Sequence, residues 1–338
     1  MTRLSMVHLL DDVAQGGVTQ ALAVFTLPGL AENLETRTLQ VDPDRDRAPA
    51  LDADIIVTHF PPRWRALPYL QALKSRNPRA RLVHIEHSYT GCWEALYVPR
   101  RLRFRCMLRL VYRLFDRVVA VSHGQAEWLD RVARPGARRL TVIPPLSVVP
   151  GIDSLAAPGW SGQRPLVVGS YGRFSEQKGF DRLVTLFRGL PPTRYQLLLG
   201  GFGEQEEWLH ALAEGVPQVN FCGEVTDRLD FLARCDVIVV PSRYEAYGLV
   251  ATEARQAGRP IMVADVDGLP EQTCAGRAGM IVDFQSPDGL RDALEALTPA
   301  LLHSLRMGAR HSVQGLQQER VLAWRRFLGM EKTMACRL

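Results

Sequence analysis

The chain has 338 residues, 46% hydrophobic and 23% charged, and its 41 Lys+Arg against 36 Asp+Glu leave a net charge of +5. That length suits two domains and that balance suits a globular protein with a large core, which excludes a disordered or fibrous chain. The six cysteines (Cys92, Cys106, Cys222, Cys235, Cys274 and Cys336) form no Cys-x-x-Cys pair and no Cys/His cluster at zinc spacing, which argues against a disulfide scaffold or a zinc module and suits a reducing cytosol.

The first ten residues run straight into a strand-like segment, without the charged start and cleavage site of a signal peptide. No uncharged apolar stretch approaches the ~20 residues a spanning helix needs. The expected location is cytoplasmic, or peripheral on the inner face of a membrane. Short apolar runs then follow in chain order at 4–10, 36–41, 54–59, 82–87, 117–122 and 140–144, and again at 165–170, 195–200, 219–223, 236–242, 260–264 and 279–283. Most are rich in Val, Ile and Leu and do not alternate with polar residues, as strands buried on both faces of a parallel sheet do. Helix-length stretches separate them, for example 66–75, 181–190, 204–213 and 290–296. Strand-helix alternation of this kind predicts parallel α/β architecture in two Rossmann-like, doubly wound domains, 1–150 and 164–312. The Pro- and Gly-rich stretch 144–164 (Pro144, Pro145, Pro150, Gly151, Pro158, Gly159 and Gly162) reads as the linker. The segment 313–338 is helical in character and is expected to pack back on the N-terminal domain.

Ligands of open α/β sheets bind beyond the carboxyl ends of strands, so the residues just after each run carry the chemistry. After 165–170 the chain reads Gly-Arg-Phe-Ser-Glu-Gln-Lys-Gly-Phe-Asp from Gly172 to Asp181. Arg173 and Lys178 fall in a loop ahead of a helix start, and two cations beside helix-end N–H groups make an anion site. The competing reading is two solvated surface cations near a turn. After 236–242 the chain reads Pro-Ser-Arg-Tyr-Glu-Ala-Tyr-Gly-Leu-Val-Ala-Thr-Glu-Ala from Pro241 to Ala254. Glu245 is expected in the loop, a helix near Gly248, and Glu253 one to two turns (~5.4 Å each) inside it. The N–H groups of Tyr247, Gly248 and Leu249 are candidate phosphate donors. Alternatively, Glu245 only favours the helix N-terminus and Glu253 is an exposed helix residue.

Together these residues make the chain resemble the large retaining glycosyltransferase family of GT-B fold, often called family 4. The landmarks are Gly172-Arg173 with Lys178-Gly179, Phe221-Cys222-Gly223, 233–241, the Glu245/Glu253 pair, Gly258-Arg259-Pro260 and Gly268 to Glu271, spread over 165–283. The resemblance implies two domains facing each other across a cleft. It implies that Arg173 and Lys178 bind the donor diphosphate, that Glu253 meets the ribose, that Glu245 meets the donor sugar or its phosphate side, and that backbone at Glu224 and Val225 touches the base. It also implies retention at the anomeric carbon by a hexosyltransferase acting on a UDP- or GDP-linked donor. No cofactor and no metal are expected, because Arg173 and Lys178 neutralise the diphosphate. Asp11-Asp12 and Asp42-Pro43-Asp44 offer no credible metal motif near the donor half.

The N-terminal half resembles the family more loosely. Gly16-Gly17 opens a helix after the first run, as the family's glycine-rich loop does, and would let backbone approach a phosphate or the acceptor. His87 matches a family histidine near the donor sugar, with His59 and His84 as rivals. Ser122-His123-Gly124 reads as a helix cap. Where the family commonly has Asn-Gly, this chain has Pro144-Pro145-Leu146, a departure that bears on the hinge. In the segment 97–118, Arg100, Arg101, Arg103, Arg105, Arg109, Arg113 and Arg117 interleave with Leu102, Met107, Leu108, Leu110, Val111 and Leu114. It is expected either to touch an anionic membrane surface or to pack on the sheet with its arginines solvated. Nucleic acid is not an expected partner, since no recognised module accompanies the charge.

The expected reaction moves a sugar from a nucleotide diphosphate donor to a carbohydrate or lipid-linked acceptor hydroxyl, in polysaccharide or glycolipid assembly. A non-catalytic nucleotide-sugar-binding subunit and a nucleotide-sugar epimerase of the same fold are the alternatives. A dinucleotide dehydrogenase is disfavoured because 11–17 lacks Gly-x-Gly-x-x-Gly.

Overall fold

The computed structural model describes residues 3–13, 16–156, 159–286 and 288–330. Pro158, Cys336 and residues 331–338 of the expected C-terminal segment lie outside the described residues. The chain divides into two compact units, one running to Val148 and resuming at Gly315, the other Val149–Gln314.

The first unit holds a sheet of six strands: β1 (Leu4–Leu10), β2 (Leu34–Gln40), β3 (Ile55–Thr58), β4 (Arg81–Glu86), β5 (Arg117–Ala120) and β6 (Leu140–Val142). Their order is β2-β1-β3-β4-β5-β6 and every pairing is parallel. The second unit holds β7 (Leu166–Tyr171), β8 (Tyr195–Gly200), β9 (Val219–Phe221), β10 (Val237–Val240), β11 (Ile261–Ala264) and β12 (Gly279–Val282). These run parallel in the order β12-β11-β10-β7-β8-β9. The expected runs coincide with these strands to within a residue or two at most ends. Central strands such as Ile-Ile-Val-Thr in β3 and Val-Ile-Val-Val in β10 are buried at every position, because helices cover both faces of a parallel sheet. The edge strand β2 is mostly exposed and polar, which protects it from pairing with another chain. In each sheet the strand order reverses once, between β1 and β3 and between β7 and β10.

Several helices bury a single stripe. In Phe180–Arg188 the buried residues are Phe180, Leu183, Val184 and Phe187, the i, i+3, i+4, i+7 pattern of a helix lying on a sheet. Ser122 caps the helix His123–Val132, accepting from Gln125 N at 3.1 Å. The helix Leu316–Leu328 belongs to the first unit: the Trp324 ring lies 4.8 Å from that of Phe25, and Arg325 donates to Gly29 O at 2.6 Å.

Of the two readings of the basic segment, the helix packed on the sheet is the one the structure favours. The basic segment 97–118 follows the helix Gly91–Tyr97 and forms the helix Arg101–Tyr112, which buries Met107, Leu108, Val111 and Tyr112 in the core. That stripe is therefore not free to enter a bilayer. Three of its arginines are also engaged, Arg105 with Glu94 at 2.7 Å, Arg109 with Val132 O at 2.9 Å and Arg101 with Ala95 O at 3.3 Å. The Gly258-Arg259-Pro260 landmark leads from the helix ending at Gln256 into β11, and its Arg259 is fully buried. It donates to Leu232 O, Ala257 O and Ala156 O at 2.7, 2.8 and 3.0 Å. Burial lowers its pKa to about 10, so it stays charged at neutral pH and gives three carbonyls a charged donor.

Candidate functional site

A polar cluster of the second unit stands where its strand order reverses, the usual ligand position of a doubly wound sheet. β7 ends at Tyr171, and the following loop carries Arg173 and, in a short turn Glu176–Lys178, the lysine. Gly179 then takes φ +68°, and a Cβ there would stand 2.3 Å from Pro241 O. Only glycine lets this loop press against the end of β10. Lys178 Nζ consequently reaches Glu245 Oε2 at 2.6 Å, and Ser242 Oγ donates to the same oxygen at 3.2 Å.

The two loops are stitched further. Arg243 pairs with both oxygens of Asp181 at 2.8 and 2.5 Å, and its backbone N–H donates to Gln177 O at 2.8 Å. The loop after β11 adds a third layer, with Glu245 N donating to Asp267 Oδ2 at 3.1 Å and Gly268 N to Glu245 O at 3.1 Å. Glu245 is 8% exposed. A small cavity of ≈ 20 Å³, lined by Ser170, Tyr171, Lys178, Ser242, Glu245 and Gly248 among others, marks where the loops meet. The helix Leu249–Gln256 starts there from Gly248 at φ +87°. The N–H groups of Tyr247, Gly248 and Leu249, leading into that helix, donate to no group among the described residues. A lysine paired with a nearly buried carboxylate thus stands beside backbone N–H groups that donate to nothing among the described residues.

Glu253 is not an exposed helix residue. It is 1% exposed, accepts from the Tyr171 hydroxyl, and lies 3.7 Å from Arg228 Nε. Burial and the facing carboxylate push the Tyr171 hydroxyl well above its usual range, so the phenol stays a donor. Arg173 is exposed and makes no ion pair among the described residues. Glu224 is exposed and Val225 half-buried just after β9.

The sequence reading missed three participants: Arg243, Tyr171 and Phe202. Phe202 follows β8, is 54% exposed, and accepts from Phe174 N at 2.8 Å, which ties its loop to that of Arg173. Across neighbouring strand ends the edge thus reads Glu245, then Lys178 and Arg173, then Phe202, then Glu224 and Val225. Strands ~4.8 Å apart make that row ~14 Å long.

In the first unit, Gly16 caps the helix Gly17–Ala21, with its N–H donating to Thr19 Oγ1 at 2.9 Å. Its backbone is extended, φ −168°, a conformation open to any residue. His87, half-buried after β4, contacts His59, and His59 contacts His8. His84 takes no part in that contact. It hydrogen-bonds Thr58 at 2.9 Å and Glu86 at 3.3 Å. Burial alone would raise the Glu86 carboxyl, yet His84, the Tyr112 hydroxyl at 2.5 Å and the Tyr89 N–H at 2.9 Å hold it below the usual carboxylate range. A broad cavity of ≈ 950 Å³ opens beside the ends of β1 and β2, lined by Asp11, Asp42, Asp44, Asp46, Arg45, Arg63 and Arg65 with two others. Arg63 there pairs with Asp44 at 2.9 Å. No group of three or more His, Cys, Asp or Glu side chains among the described residues could hold a metal ion, and no described helix is long and apolar enough to cross a membrane.

Comparison with known proteins accords with this architecture. A family model described as Glycosyl transferases group 1 matches residues 158–300, and one described as Glycosyltransferase Family 4 matches residues 24–146. The lipopolysaccharide core biosynthesis glycosyltransferase LpsE of Rhizobium meliloti is 37% identical over 134 residues, 39% of this chain and 39% of that protein. The D-inositol 3-phosphate glycosyltransferase of Stackebrandtia nassauensis is 30% identical over 219 residues, 57% of this chain and 48% of that protein. The chain thus spans less than half the length of these curated relatives. Among solved structures, sucrose-phosphate synthase from Thermosynechococcus elongatus superposes with TM-score 0.74 at 20% identity, over 96% of this chain and 98% of that one. Anabaena HepE, solved in complex with UDP and glucose, superposes with TM-score 0.73 at 17% identity, over 98% and 100%. In sequence order, then, this chain carries a family 4 glycosyltransferase domain and a group 1 glycosyltransferase domain, on the fold of two parallel six-stranded sheets that solved GT-B glycosyltransferases share.

Proposed function

We propose that the protein is a retaining hexosyltransferase that moves a sugar from a nucleoside diphosphate to an acceptor hydroxyl. The observation that carries this reading is the Lys178–Glu245 pair beside the unspent N–H groups of Tyr247, Gly248 and Leu249 at the strand reversal of the second sheet. The ~14 Å row of strand ends matches an extended sugar nucleotide. Glu245 meets the sugar side, Lys178 and Arg173 the diphosphate, Glu253 the ribose, and the Glu224–Val225 backbone the base, with Phe202 as an aromatic face next to it. His87 hydrogen-bonds the donor sugar, and Gly16 and Gly17 let backbone come close to the ligand. Since HepE was solved with UDP and glucose, UDP-linked donors are the first to test and GDP-linked donors the second.

As the glycosidic C–O bond breaks, the electron pair goes to the diphosphate. Lys178, Arg173 and the N–H donors stabilise that charge more than they stabilise the bound donor, which lowers the barrier. The departing phosphate oxygen takes the acceptor proton as the acceptor oxygen bonds to the anomeric carbon on the same face, so no enzyme nucleophile is needed. The polar cavity lined by Asp11, Asp44 and Arg63 suits a hydroxyl-rich acceptor. Peripheral contact with an anionic membrane would use what the basic helix leaves outside the core, Leu102 at 85% exposure with Arg103 and Arg113.

The test is thermal unfolding of the full chain across UDP, GDP and their sugar conjugates, followed by donor turnover with candidate acceptors. A ligand at a hundred times its Kd stabilises by ~2.7 kcal/mol. A chain indifferent to every nucleoside diphosphate would overturn the proposal. Flotation with anionic vesicles tests the membrane contact, and an unchanged yield for Leu102→Asp would exclude that face.

A further inference from the structure

Three histidines on three adjacent strands of the first sheet form a continuous line. His8 lies in β1, His59 just after β3 and His87 just after β4. The parallel register sets His8 beside Val57, two residues before His59, and Thr58 beside His84, three residues before His87. His8 Nδ1 lies 2.9 Å from His59 Nε2, and His59 Nδ1 lies 3.0 Å from His87 Nε2. His8 is 2% and His59 5% exposed. Burial pushes His8 and His87 down to about 4, and His59 well below its ordinary value. At neutral pH each ring therefore holds one proton, and each contact joins one N–H to one lone pair.

With one proton per ring the line has two self-consistent arrangements. If the protons point from His87 toward His8, His8 carries its proton on Nε2. That atom is buried and has no hydrogen-bond partner. If they point from His8 toward His87, the same buried atom is a bare lone pair and both ring-to-ring hydrogen bonds are kept. Orphaned buried N–H groups are rarer in folded proteins than under-used acceptors. The second arrangement leaves the proton of His87 on Nδ1, the nitrogen that the line does not use.

We infer that His8 and His59 are positioning residues that lock His87 in its Nδ1–H tautomer, so that it meets substrate as a neutral hydrogen-bond donor and not as a base. The ligand atom it takes is an oxygen acceptor, a sugar hydroxyl or a phosphoryl oxygen. The function assigned to the lock rests on the proposed contact between His87 and the donor sugar; the tautomer does not.

The test begins with nitrogen-15 NMR of the full chain labelled at histidine, where long-range coupling patterns report which nitrogen is protonated, assigned with single His→Gln variants. Nδ1–H at all three rings is expected at pH 7. A His87 ring that is Nε2–H, or a rapid mixture, overturns the inference. Kinetics then read the positioning role. His59→Phe should scramble the His87 tautomer and raise KM for the sugar nucleotide by about tenfold, the scale of one lost hydrogen bond, and His59→Gln should recover most of both. Equal defects in the two variants would mean that His59 merely fills space and would overturn its assignment. Because the tautomer measurement needs no turnover, an inactive chain would sink the proposed reaction while leaving this measurement decisive.

Discussion

Lys178→Ala separates the work of one charge from the integrity of the fold. The Lys178 side chain is 25% exposed and its ammonium stands 2.6 Å from Glu245. The lysine end is partly open to solvent and the nearly buried Glu245 keeps the Ser242 hydroxyl at 3.2 Å, so the stability loss should be about 1–2 kcal/mol. The kinetic loss should be larger. A donor aimed at charge that develops in the transition state is worth ~2.7–4 kcal/mol, about a hundred- to a thousandfold in kcat. Initial rates of nucleotide release, set beside thermal unfolding of the same variant, read the two effects separately. Lys178→Met adds a control that keeps the aliphatic stem. A rate within about threefold of the parent, ~0.6 kcal/mol, would refute the assignment of the diphosphate site, and a collapsed melting transition would refute the small stability cost.

Glu245→Gln should free Lys178 from its resting partner. UDP should then bind about three- to tenfold more tightly, by titration calorimetry, while turnover falls; weaker binding would mean that Glu245 does not compete for the lysine. Tyr171→Phe leaves a buried Glu253 oxygen without its phenol donor, which should cost about 1–3 kcal/mol in urea unfolding and weaken nucleotide binding. Unchanged affinity would detach Glu253 from the ribose. His8 predicts an acid-sensitive fold. Its pKa falls from 6.5 in the open chain to about 4 in the buried site, so the unfolded state binds the proton first. The stability it contributes is complete above pH 6.5 and is lost as pH falls from there toward 4, about 3 kcal/mol in all. Denaturant midpoints between pH 7.5 and 4.5 should decline less in His8→Phe than in the parent, and parallel declines would refute the argument.

Much of the second unit was legible because parallel strands covered on both faces must be apolar throughout. The run Val-Ile-Val-Val before Pro241 declares β10, and whatever follows such a strand stands at the ligand edge. Lys178 and Glu245 could be singled out that way, although 67 residues separate them. What joined them was the strand order, since β10 lies beside β7 only by a crossover that no local pattern encodes. For the same reason Arg243, a loop cation by sequence, emerged as the clamp on Asp181. Glu253 read as surface or site with equal ease, because a single glutamate inside a helix carries no sign of its burial. Arg259 and its glycine and proline neighbours formed a landmark whose role in this structure is to satisfy carbonyls. The histidine line was invisible as a line. His8, His59 and His87 are far apart in sequence and meet through the register of three parallel strands.

The division of the chain also bears on how the protein is made. Residues Val149–Gln314 form the second unit from one uninterrupted stretch, whereas the first needs the later helix Leu316–Leu328 to set Trp324 against Phe25. On the ribosome, where domains fold as they emerge, the earlier sheet would wait with the Phe25 flank bare until the whole second unit had been synthesised. A nascent chain arrested before residue 316 should therefore present one finished body and one unfinished one, and it is the half made first that a chaperone would have to shield.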